Sequence, residues 1–154
     1  ERVGSTAAIS TVAIVALGTG MGIGRWYGGL VLKNLSLDTQ LLAIIALQFV
    51  GFLGFWLSHN MVLSLLCLLV VGLGISMQFA LSSIRLIGLS DGRPDLAIGR
   101  ASLAAGVAIA GAPFLLGLLG DSFGISRAYI MVFVLIGIAF IIVKAIPSDV
   151  KESV

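Results

Sequence analysis

Five long stretches of this chain contain no Asp, Glu, Lys or Arg: 5–24, 41–58, 61–84, 101–120 and 128–143. A helix rises about 1.5 Å per residue, so about 20 residues cross a hydrocarbon core about 30 Å thick. Four stretches meet or nearly meet that length. The fifth gains reach if its helix continues to Ile146 and Lys144 extends its ammonium to the interface. The sequence therefore predicts an all-α polytopic membrane protein. Its five transmembrane helices are expected at about 5–24, 41–58, 61–84, 101–120 and 128–146, in a single membrane domain over 1–154.

Composition excludes the water-soluble alternatives. Charged residues are 10% of the chain and hydrophobic residues 59%, with a mean hydropathy of +1.18. Soluble domains carry about 25% charged residues, so too little polar surface is left to clothe a globule in water. The formal charge is only +2, and the basic residues fall singly among the loops with no aromatic-lined patch, which argues against nucleic acid. Cys67 stands alone inside an apolar stretch and permits no intrachain disulfide. The first stretch lacks a basic leader and a clean small-residue cleavage site, and reads as a spanning helix rather than a signal peptide. The chain begins at Glu1, which suggests a processed product or a fragment.

Charge also orients the chain. With the amino terminus outside, the inside segments hold Arg25, Lys33, Arg85, Arg93, Arg100, Lys144 and Lys151, and the outside segments hold only Arg2 and Arg127. Lys and Arg are enriched in cytoplasmic loops, so the amino terminus is expected outside and the carboxyl terminus in the cytoplasm. Trp26, Tyr27, Trp56 and His59 fall at interface depths. The turn Ser58-His59-Asn60 is short enough to make the second and third helices an antiparallel hairpin. The segments 25–40 and 85–100 are expected as longer inner loops, and 120–127 as a tight outer turn.

Gly20, Gly24 and Gly28 recur every four residues, with Gly18 and Gly22 on the neighbouring stripe. Such spacing lets helix backbones approach closely. Gly72 and Ser76 form a similar stripe on the third helix, and Ser102, Gly106 and Ala110 on the fourth. Pro113 removes a backbone donor and is expected to kink the fourth helix. The Gly20-Met21-Gly22-Ile23-Gly24 run lacks the last glycine of a dinucleotide fingerprint and follows no strand, so packing is its better explanation.

Polar side chains in the hydrocarbon are few. Gln48 and Gln78 cost most to bury unpaired. Each suits either an interhelical hydrogen bond or a polar cavity, and Gln48 fits the former better. Gln78 shares a helical face with Ser82, four residues on. No acid lies within a helix to act as a proton relay. Leu119-Gly120-Asp121 resembles part of an intramembrane aspartyl protease motif, but no second membrane Asp exists to complete the carboxylate pair. His59 has no partner at metal-ligand spacing. No catalytic constellation, metal site or cofactor motif is visible, so an enzyme is not expected.

The run Gly24-Arg25-Trp26-Tyr27-Gly28-Gly29-Leu30-Val31-Leu32-Lys33 resembles the loop between the eighth and ninth helices of major facilitator superfamily transporters. Gly28, Leu30 and Lys33 match its glycine, leucine and basic positions, while Leu32 stands where the family has Asp. The run Gly117-Leu118-Leu119-Gly120-Asp121-Ser122-Phe123-Gly124 is similar to the turn between the family's last two helices, through Gly117, Leu119, Asp121 and Gly124. The resemblance covers nearly the whole chain and aligns it with helices eight to twelve. It implies part of a helical bundle that moves a small solute across the plasma (inner) membrane by alternating access. The partners would be the lipid bilayer, the solute and a missing amino-terminal half. Thr19, Gln78, Ser82 and Ser102 would then line the cavity, and Arg25, Gly28, Lys33, Gly117, Asp121 and Gly124 would belong to gating turns. The alternative is a structural or accessory membrane subunit without transport of its own.

Overall fold

A computed structural model of the chain describes residues 7–146. These residues are all-α, in the order α1 (Ala7–Leu32), α2 (Leu37–Leu57), α3 (Met61–Gly88), α4 (Pro94–Phe123), α5 (Ile125–Ala128) and α6 (Ile130–Ala145). The ends of the chain, including Arg2, the first residues of the 5–24 stretch and Lys151, lie outside the described residues. Among the described residues, four segments are long and apolar enough to cross a membrane: Leu37–Leu57, Met61–Gly88, Pro94–Phe123 and Ile125–Ala145, the last joining α5 to α6.

The helices outrun the apolar stretches at their charged ends. α1 continues through Arg25, Trp26 and Tyr27 to Leu32, and α4 starts at Pro94 and takes in Arg100. The expected loops 25–40 and 85–100 shrink to residues 33–36 and 89–93. Charge marks the edge of the hydrocarbon. It does not end a helix whose backbone bonds are satisfied along its own axis. α2 opens on Ser36, whose hydroxyl accepts from the Thr39 amide at 3.4 Å, with Asp38 in the first turn where the helix dipole favours an anion. α4 runs on through Pro113. The proline leaves the Ile109 carbonyl without its usual donor, and the helix continues beyond it as one element.

The chain divides into two compact units, Glu1–Leu81 and Ser82–Val154. In the first, α1 and the first part of α3 meet along the predicted glycine stripe. A methyl group on Gly72 would lie 3.0 Å from the Met21 nitrogen and 3.2 Å from the Gly20 Cα, and one on Gly20 would lie 3.1 Å from the Leu69 Cα. One on Gly24 would reach the Leu73 carbonyl oxygen at 2.8 Å and press on the Ser76 hydroxyl, and Gly28 faces the Met77 thioether. The contacts advance together along both helices, so α1 and α3 run parallel. Without side chains between them the backbones touch, which supplies the dispersion that holds helices together where lipid is as apolar as leucine. Gly18 and Gly22, on the neighbouring stripe, face open space.

α2 packs on α3 as the antiparallel hairpin the short turn requires. Leu41, Ile44, Ile45, Gln48, Gly51 and Phe52 are buried at helical spacing on one face of α2. Gly51 admits Val71, and Gly54 admits the Cys67 sulfur, which would stand 2.7 Å from an added methyl. The turn closes itself: Ser58 Oγ donates to the Asn60 carbonyl at 2.9 Å, and Asn60 Oδ1 accepts from the Val62 amide at 2.9 Å.

In the second unit, the end of α3 turns into α4 through Ser90-Asp91-Gly92-Arg93. The Arg93 amide donates to the Ser90 carbonyl at 3.0 Å, with φ of 48° at Asp91 and 79° at Gly92. Two consecutive left-handed residues suit Asp-Gly, since Gly has no Cβ to clash and Asp tolerates this region. Pro94 then opens α4 at a position that needs no amide donor. At the other end of α4 the expected outer turn contracts to Gly124, with φ of 83°. Asp121 is the third-last residue of α4, and α5 begins one residue after the glycine.

Candidate functional site

The strongest polar feature in the apolar interior is a pair of glutamines. Gln48 on α2 is 6% exposed, and its Nε2 donates to Oε1 of Gln78 on α3 at 2.6 Å. Gly74, one turn before Gln78, makes room for it: a methyl there would lie 3.0 Å from the Ile44 carbonyl and 3.3 Å from the Gln48 nitrogen. The sequence expectation for Gln48, an interhelical hydrogen bond, is what the structure shows. Gln78 is its acceptor. The pair is not closed, because Gln78 keeps two amide N–H groups that make no hydrogen bond among the described residues, and its side chain is half-buried.

Thr19 lies on an exposed side of α1, and its hydroxyl donates to the Val15 carbonyl of its own helix at 2.8 Å. The parallel pairing of α1 with α3 sets Thr19 level with about Leu69, nine residues before Gln78. At about 1.5 Å per residue the two differ in depth by about 13 Å, so they do not converge on one small solute. Ser82 and Ser102 are exposed. Among the described residues no hydrogen bond joins Thr19 to Gln78 within the first unit, or Ser82 to Ser102 within the second. The Ser102, Gly106 and Ala110 stripe is exposed, and Gly106 faces open space. Unlike the stripe on α1, it meets no helix among the described residues of its own unit.

The residues expected in gating turns are mostly helical. Arg25 and Gly28 lie within α1, Gly117 and Asp121 within α4, Lys33 directly after α1, and Gly124 at the break before α5. Arg25, Lys33, Gly117, Asp121 and Gly124 are exposed, while Gly28 is half-buried against Met77. Arg25, Gly28, Gly117 and Asp121 are therefore helical positions, and only Lys33 and Gly124 fall between helices. Among the described residues no group of three His, Cys, Asp or Glu side chains could hold a metal ion.

Arg85, expected at the start of an inner loop, is only 8% exposed. It sits in the last turn of α3, and its Nη2 donates to the Val143 carbonyl at 3.3 Å and to the Ile146 carbonyl. A guanidinium over the last carbonyls of α6 satisfies acceptors that no helical donor reaches, and it favours the negative end of the dipole. The signal available in the sequence was its position directly after the charge-free run 61–84. The carbonyls it seeks lie 58 and 61 residues away, beyond any local pattern.

No protein-family model, curated protein or solved structure matches this chain.

Proposed function

We propose that the chain is the carboxyl-terminal portion of a secondary transporter of the major facilitator type, carrying a small solute across the plasma membrane by alternating access. The membrane reading stands on the four span-length apolar helices. The transport reading is supported by the resemblance of the 24–33 and 117–124 segments to that family. The observation that carries it is Gln78. Two unpaired amide donors within a 28-residue apolar helix are costly in hydrocarbon. Water or a polar solute on that side of α3 relieves the cost. In this reading the carboxyl terminus is cytoplasmic, the other half of the bundle belongs to a longer polypeptide, and no covalent chemistry is performed.

A second reading is a structural subunit, in which the Gln48–Gln78 bond is only a clasp between helices. One experiment separates the two. In the full-length protein carrying Cys67→Ser, Gln78→Cys and Ser82→Cys should react with a membrane-impermeant thiol reagent, and Val50→Cys on α2 should not. Gln78→Ala should also change solute uptake per molecule at the surface while abundance stays near normal. An unreactive Gln78→Cys variant, together with unchanged normalised uptake in Gln78→Ala, removes Gln78 from the solute path.

A further inference from the structure

The α3–α4 turn carries a groove that the transport reading does not use. Its volume is about 480 Å³, and its walls include Leu86, Leu89, Leu96, Asp91, Arg93 and Arg100. That size is within the range of small-molecule sites, about 300–1,000 Å³. The lining is divided in character: leucines form one part, and two guanidinium groups against one carboxylate form the other. The Arg93 and Arg100 side chains are exposed and make no hydrogen bond or ion pair among the described residues. They are seven residues apart, two turns, and so lie on the same side of the chain as it enters α4.

Depth decides what such a groove meets. The charge-free run 101–120 fills a hydrocarbon core of about 30 Å, which puts Arg100 at its edge and Arg93 about 10 Å further out along the axis. Phosphate groups of the lipid occupy that zone, and acyl chains begin beneath it. We propose that this groove binds an anionic phospholipid, its phosphate held by Arg93 and Arg100 and its glycerol backbone and first acyl carbons lying against Leu86, Leu89 and Leu96 at the hydrocarbon edge. Arg matches phosphate through paired N–H donors, and the single net positive charge of the lining complements a singly charged headgroup. The leucines distinguish this occupant from a free anion, which gains nothing from them. The inference rests on α4 crossing a membrane and not on transport.

The test is intact-complex mass spectrometry of the full-length protein in mild detergent, titrated with phosphatidylglycerol or phosphatidylcholine. The parent should retain phosphatidylglycerol preferentially. A basic residue at an anionic lipid surface is worth a factor of about five in binding, so Arg93→Gln with Arg100→Gln should weaken retention by about 25-fold. Both side chains are exposed and unbonded, so helical content should not change. Leu89→Ser should weaken retention of the lipid with both arginines intact, and Arg127→Gln, on α5 beyond the far end of α4, should not. Equal retention by the parent and the double variant overturns the proposal. So does inorganic phosphate that binds the parent and displaces the lipid with undiminished effect in Leu89→Ser, which would make the groove a site for a soluble anion.

Discussion

Gly72→Ala is the most demanding test of how the first unit is held together. The added methyl would lie 3.0 Å from the Met21 nitrogen and 3.2 Å from the Gly20 Cα, and it would press on the Leu17 carbonyl. All three are backbone atoms of α1, so no rotamer change relieves the overlap. Ordinary carbon contacts need about 3.5–4.0 Å, so α1 has to retreat by roughly 0.5–1 Å. That gap forfeits about a quarter to a half of each dispersion well along the seam. Overpacking costs about 1–3 kcal/mol, and a rigid backbone obstruction places this case at the upper end. Alanine returns up to about 1 kcal/mol through its higher helix propensity. The net expectation is a loss of about 2 kcal/mol, or about 30-fold in the folding constant. Gly106→Ala is the control, because nothing stands within 4 Å of its Cβ position; it should hold stability level or raise it by up to about 1 kcal/mol. Equilibrium unfolding in mixed micelles, followed by circular dichroism, measures both. If Gly72→Ala is as stable as the parent, the parallel α1–α3 backbone contact is not what holds this unit together.

The larger Gly24→Leu change should reduce the yield of assembled protein more than Gly137→Leu, since Gly24 abuts the Leu73 carbonyl and Ser76 whereas Gly137 faces open space; equal yields by size-exclusion chromatography would contradict the packing argument. Arg85→Gln should destabilise the second unit by about 1.5–3 kcal/mol, the range for hydrogen bonds to charged groups, with amide exchange accelerated in the last turn of α6, and unchanged protection there would rule out its capping role. Compartment reporters fused within residues 58–60 and after Lys151 should lie on opposite sides of the membrane, following the basic asymmetry; a shared compartment would end the proposed topology.

The apolar stretches were enough to predict the helical class and the positions of the four described helices long and apolar enough to cross a membrane, because a membrane demands long charge-free helices. The four-residue glycine period likewise announced a close-packing face on α1, since a face without side chains is recorded directly in sequence, though not that α3 fills it. Helix ends were less legible. Arg25 and Arg100 looked like loop residues, but a helix leaves the hydrocarbon without unwinding. The same small-residue pattern at Ser102, Gly106 and Ala110 gave no seam within the described residues, because a pattern states what a face permits and not what is placed against it. Gln78 and Arg85 show the other limit. Their residue types announced a need for hydrogen bonds, but the partners, Gln48 at a separation of 30 residues and the α6 carbonyls at 58 and 61, are set by how the helices pack. Local sequence determined where this chain is helical and which faces allow close approach. Tertiary structure alone decided which polar groups meet, because hydrogen bonds between helices depend on distances that no periodicity along one helix encodes.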